Sequence, residues 1–246
     1  MTSILEKIAE NSHRVQFSRF RPKTVHEFFA LRLAAKLGDA PAAQHYLKLT
    51  GQYSQSQLLG AFRRVVRSGD QLDLGRRFHV ELNRSPRKGA NLETRGRLGA
   101  ILITQRSIAL AVLVDDDLEY AQARQLPSAP DQAIRGAVGF VSRLIGKFSI
   151  ELAATQGVRN QSEMEGSPVH EAVVRALNEQ SVGIMEVSRA ELYDALAYPP
   201  VGSREELCYI VSRIWPSLDA EPGGPWTHSA AALGLYVQTE RLFNQH

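Results

Sequence analysis

The sequence predicts an α/β protein: a mixed sheet made of a three-stranded antiparallel meander followed by α-β-α-β-α, preceded by a small, mainly helical basic domain. Three observations predict it. Near residue 98 the hydrophobic pattern changes from helical spacing to continuous apolar runs of strand length. The first connections beyond that point are short and polar, which makes neighbouring strands antiparallel, whereas the later strands alternate with helical segments and so join by parallel crossovers. Charge divides at the same place. Residues 1–98 hold 18 Lys+Arg against 8 Asp+Glu, a net +10, and residues 99–246 hold 11 against 18, a net −7, within a chain whose total is +3. The expected domains are residues 1–97 and 98–246.

In the basic domain, Thr24 and Glu27 have the spacing of a capping box, and a helix from about Val25 to Leu37 follows, stopped by Gly38. Asp39 and Pro41 open a second helix that ends near Gly51. Ser54 and Gln57 open a third, which carries Leu58, Leu59, Phe62, Val65 and Val66 inward and stops at Ser68-Gly69. Phe78 to Leu82 alternates with period two and reads as a strand. Such a module can take a winged-helix-like form, with Arg63, Arg64 and Arg67 of the third helix against phosphates. Arg76, Arg77, Arg84, Arg87, Lys88, Arg95 and Arg97 face only Glu81 and Glu93 over the next stretch. Guanidinium groups bind phosphate oxygens in bidentate fashion, so nucleic acid, with DNA first, is the expected partner; a solvated linker is the plainer alternative.

The second domain is built in order from Gly99–Thr104, Ile108–Val114 and Leu118–Leu126 as strands, a helix from Pro130-Asp131 to about Phe148, and a fourth strand over Ser149–Thr155. Ser167-Pro168 opens a helix to about Gln180, Val182–Val187 is the fifth strand, and further helices follow to the end.

That order resembles the ribonuclease H-like fold, and residues 98–243 are similar to one branch of it, the RuvC-type Holliday-junction resolvases. The residues that carry the likeness are Ile101-Leu-Ile-Thr-Gln-Arg-Ser107 for the first strand and its turn, Ile150-Glu151-Leu152 for the fourth strand, Tyr198-Pro-Pro-Val-Gly202 to Trp215, and Gly223-Gly-Pro-Trp-Thr-His-Ser-Ala-Ala-Ala-Leu-Gly-Leu235 for the last helix. The resemblance implies a nuclease in which several carboxylates hold two divalent cations that activate water and stabilise the leaving oxygen. Carried over residue by residue, it makes Glu151 and His228 the catalytic candidates. Thr104 stands where the first-strand aspartate is expected, and Ala231 where a second carboxylate of the last helix is expected. Neither side chain supplies an anionic oxygen, so the inherited metal site reads as dismantled and no cofactor is expected. A shift of register that made Ile108–Val114 the first strand would put Asp115, Asp116 or Asp117 at its end and restore an Mg²⁺- or Mn²⁺-dependent endonuclease.

The remaining chemistry reads as structural. Cys208 is the only cysteine, so no intrachain disulfide forms, and with Glu6, Lys7 and Glu10 interrupting the first residues no signal peptide is read; a cytoplasmic location is expected. The longest apolar run, Ile108–Val114, is far short of the roughly 20 residues that span a bilayer, so no membrane partner is expected. Trp215 and Trp226 read as packing anchors, His228 equally as a cap of the last helix, and His79 and His170 have no ligand spacing to each other. The expected function is nucleic-acid binding, possible on branched DNA, without cleavage; the active endonuclease and a protein-interaction scaffold, including a homodimer, are the two rivals.

Overall fold

The computed structural model describes residues 21–25, 27–29, 32, 97–104, 106–114, 117–157, 167–197, 200–220 and 223–244. The chain divides into two compact units, the first being residues 1–93, 197–199 and 239–246 and the second residues 94–196 and 200–238.

In the first unit the described residues are helical from Val25. The Thr24 Oγ1 accepts from the Glu27 N–H at 3.1 Å, and the Glu27 carboxylate accepts from the Lys23 N–H at 2.6 Å, so the capping pair forms, with the glutamate reaching one residue further back than the cap. Phe28 and Phe29 are buried, and the Arg32 guanidinium pairs with the buried Glu240 carboxylate. The second and third expected helices and the Phe78–Leu82 strand lie outside the described residues, as do Arg63, Arg64, Arg67, Arg76, Arg77, Arg84, Arg87, Lys88 and Arg95.

The second unit has a five-stranded sheet of β1 (Leu98–Ile103), β2 (Ser107–Val114), β3 (Asp117–Gln125), β4 (Leu152–Gly157) and β5 (Gly183–Ser188), in the order β3-β2-β1-β4-β5. β1–β2 and β2–β3 are antiparallel, and β1–β4 and β4–β5 parallel. This is the mixed sheet the sequence predicts, a three-stranded antiparallel meander extended by two parallel strands. Between the strands run α1 (Pro130–Phe148) and α2 (Pro168–Glu179), and after β5 come α3 (Arg189–Leu196), α4 (Arg204–Ile214), a 3₁₀ turn (Pro216–Ala220) and α5 (Pro225–Asn244). Among the described residues no helix is long and apolar enough to cross a membrane.

β1 and, beyond Ser107, β2 are apolar because both faces of the central sheet are covered. On one face Ile101, Ile103, Ile108, Leu110 and Val112 pack with Ala137, Phe140, Val141 and Leu144 of α1 and Val173 and Leu177 of α2. The other face carries Ala100, Ala109 and Ala111 beside Leu102 and Leu113, and α5 lies close on it: a Cβ on Gly234 would stand 2.3 Å from Leu113 Cδ1 and 3.3 Å from Ala100 Cβ.

The fourth strand starts later than its sequence suggests. Ser149 takes a left-handed conformation, φ 51°, and its N–H and that of Ile150 both return to the Ile145 carbonyl, so the chain is still closing α1 at the point where the apolar pattern reads as strand. Ladder pairing begins at Leu152, opposite Leu98. The register-shift alternative is also overturned: Ile108–Val114 belongs to β2, antiparallel to the true first strand, and Asp117 opens β3 opposite Val114.

Candidate functional site

Thr104 follows β1 and closes the hairpin to β2. Its N–H donates to the Ser107 carbonyl at 2.9 Å, its Oγ1 accepts from the Ser107 N–H at 2.9 Å, and the same hydroxyl donates to the Ser107 carbonyl at 3.0 Å. The side chain therefore takes the place of a ladder carbonyl at a tight corner. It is a turn staple, already spent on the backbone.

Glu151 stands at the other end of the sheet. It precedes β4, its N–H donates to the Arg97 carbonyl at 3.3 Å, and its own carbonyl accepts from Gly183 N–H at 3.0 Å. Since β1 and β4 are parallel with Leu98 opposite Leu152, Glu151 lies beside the beginning of β1. Thr104 is seven residues further along, about 23 Å at the rise of a strand. Sequence reading places Glu151 inside a fourth strand over Ser149–Thr155; the delayed start of β4 at Leu152 leaves it just before the strand. Asp117, opposite Val114, shares Glu151's end, because β2 runs back along β1.

His228 is in the first turn of α5. That turn lies at Thr104's end: Gly223 packs on Ala123, which is opposite Ala109 and through it Leu102, while Gly234 reaches Ala100 and Leu113 further down. The buried imidazole is fully engaged. Its Nδ1 is 2.9 Å from the Gly224 carbonyl, which can only accept, so Nδ1 carries a proton. Its Nε2 is 2.8 Å from Ser212 Oγ and 3.3 Å from Asp219 Oδ1, and the Ser212 hydroxyl is 2.6 Å from the same carboxylate oxygen. The bond from Ser212, and after it the one to His228, hold the exposed Asp219 carboxyl below its ordinary pKa. This cluster ties α4, the 3₁₀ turn and α5 together. Sequence reading missed Ser212 and Asp219, since three elements supply the three side chains and no local spacing announces them. Thr227 and Ser229 also bond back, to the carbonyls of Gly224 at 2.7 Å and Pro225 at 2.9 Å, so neither acts as an N-cap by accepting from the helix N–H groups.

Ala231 is fully buried one turn beyond His228. Thr155 of β4 is buried too, and its hydroxyl has no hydrogen-bond partner among the described residues. Arg97 is half exposed; its Nη1 donates to the Phe148 carbonyl at 3.0 Å and its Nε lies 3.8 Å from Glu119. Burial pushes the Cys208 thiol up, which lowers its thiolate fraction and fits a packing role. Trp226 lies under the Arg204 guanidinium, 4.1 Å from its ring centre, and Trp215 is buried.

A pair of divalent cations does not fit this donor set. Thr104 and Ala231 bring no carboxylate, both nitrogens of His228 are in use, and Glu151 and Asp117 sit at the far end of the sheet. Among the described residues no three His, Cys, Asp or Glu side chains converge as a metal site.

No protein-family model and no curated protein sequence matches the chain. Solved structures similar to it include RuvC of T. thermophilus in complex with a Holliday junction substrate, at 17% identity and TM-score 0.47, covering 60% of this chain and 94% of that one. RuvC of Thermus thermophilus, at 18% and 0.43, covers the same shares. The yeast mitochondrial Holliday junction resolvase Ydc2, at 13% and 0.39, covers 82% of this chain and 95% of its own.

Proposed function

We propose that the chain is a nucleic-acid-binding protein in which a ribonuclease H-like unit of RuvC type has given up metal-dependent cleavage, and in which the arginines before residue 98 hold the phosphate backbone of DNA, including branched DNA. Binding is supported by the 18 cationic against 8 acidic side chains of residues 1–98. The observation that carries the loss of cleavage is the placement of the inherited positions: Thr104 is locked in a hairpin corner, with Glu151 about 23 Å away along β1. Phosphodiester hydrolysis by two metals needs anionic oxygens on both ions at one point, and these residues do not meet.

The test is a gel-shift series with four-way-junction, duplex and single-stranded DNA at rising salt. Retardation that weakens steeply with salt is expected. Absence of any shift at low salt, or a shift indifferent to salt, would sink the reading.

A further inference from the structure

We propose that the solvent face of α1 is a second phosphate-backbone contact, carried by the ribonuclease H-like unit itself; this rests on the nucleic-acid reading above and extends it to a surface outside the basic N-terminal half. The inward side of α1 is accounted for by Ala133, Ala137, Phe140, Val141, Leu144, Ile145 and Phe148, all buried in the core. Its outward side presents Arg135, Gly139, Arg143, Gly146 and Lys147, all exposed. After Asp131 no acidic residue occurs in the rest of the helix, although residues 99–246 hold 18 acids against 11 bases.

A helix that needs cations only for solubility usually interleaves glutamates four residues away. Here, among the described residues, Arg135 and Arg143 have no carboxylate partner. Lys147 is held with its Nζ 4.8 Å from the centre of the Phe148 ring and 5.3 Å from that of Tyr120, which positions the charge without neutralising it. Exposed Arg124, on the edge strand β3, adds a fourth cation, with its guanidinium 5.8 Å from the centre of the Phe140 ring.

The glycines between these charges are unexplained by packing. A Cβ at Gly139 or Gly146 would meet nothing within 4 Å, so neither is required by a neighbour, and each weakens the helix relative to alanine. Without side chains there, a partner's backbone can come close while the flanking cations reach it. Arg135 and Arg143 are about 12 Å apart along the axis and Lys147 about 6 Å further on, a row that tracks a line of phosphates. A second copy of the chain fits poorly, because two such faces related by a two-fold axis would oppose cation to cation.

The experiment is fluorescence anisotropy of a labelled 20-base-pair mixed-sequence duplex titrated with the full chain at several salt concentrations, with sedimentation velocity on the same samples. For Arg135→Gln/Arg143→Gln/Lys147→Gln the slope of log affinity against log salt should become shallower by about 2 to 3, with binding at least about tenfold weaker at low salt. Arg135→Gln/Arg143→Gln alters only the two unpaired arginines and should reduce the slope by about 2, which covers the case where loss of Lys147 disturbs the helix end. Wild-type slope and affinity in both variants would overturn the proposal, and so would a change confined to self-association. Failure of the wild-type chain to bind would instead remove the nucleic-acid reading, and this inference with it.

Discussion

Thr104, at the position where the resemblance expects an aspartate, works as a staple of the β1–β2 turn. Its hydroxyl both accepts from and donates to the backbone of Ser107, so Thr104→Val should cost about 1 kcal/mol in a denaturant titration, because it leaves a turn N–H without its partner. The Ser212–Asp219–His228 cluster makes a second prediction, about pH. The Asp219 carboxyl is held below its ordinary value in the folded chain, so its contribution is complete above the usual carboxylate range and is lost as pH falls through the lowered one. The difference in melting temperature between wild type and Asp219→Asn should therefore be present at neutral pH and shrink in strong acid; a difference constant with pH would contradict the assignment. Residue identity alone announced that Thr104 and Ala231 lack carboxylates. It could not announce which side chains occupy His228, since Ser212 comes from α4 and Asp219 from the 3₁₀ turn.

At the scale of elements, the close approach of α5 to the sheet depends on absent side chains. Gly234→Ala would place a methyl 2.3 Å from Leu113 Cδ1, inside a buried interface, and should destabilise by about 1–3 kcal/mol. Gly139→Ala on the exposed face of α1 meets nothing and should stabilise by about 0.5–1 kcal/mol; thermal unfolding of the two variants side by side should give opposite signs. Periodicity located these elements well where local and tertiary demands agree. β1 and β2 are apolar on both faces and bounded by short polar turns, and α1 begins with Pro130 at its first position. It failed at Ser149–Glu151, where buried Ile150 prolongs an apolar pattern although the backbone is still capping α1 through a left-handed serine. A left-handed cap made by glycine would have marked that boundary. That three-residue offset moved Glu151 from inside the expected strand to its approach.

For the molecule as a whole, connection lengths made the antiparallel meander and the parallel crossovers legible, whereas the place of β4 beside β1 and of β5 beside β4 is set by strand pairing that connection lengths do not announce. The site was less legible, because convergence of side chains depends on which end of the sheet each occupies. Parallel pairing of β1 with β4 and the return of β2 put Glu151 and Asp117 at one end and Thr104 and His228 at the other. Of the rival ligand set Asp115–Asp117, Glu151 and His228, Asp115 and Asp116 lie outside the described residues, Asp117 and Glu151 share one end of the sheet, and His228 lies at the other. The charge division of the sequence also needs one refinement: the acid-rich half contains its own cationic strip along α1. The most direct measurement of the account is to incubate a labelled four-way junction with the full chain in Mg²⁺ and in Mn²⁺, then resolve it on native and on denaturing gels. The account predicts a retarded, salt-sensitive band whose strands all remain intact; metal-dependent nicks would contradict it.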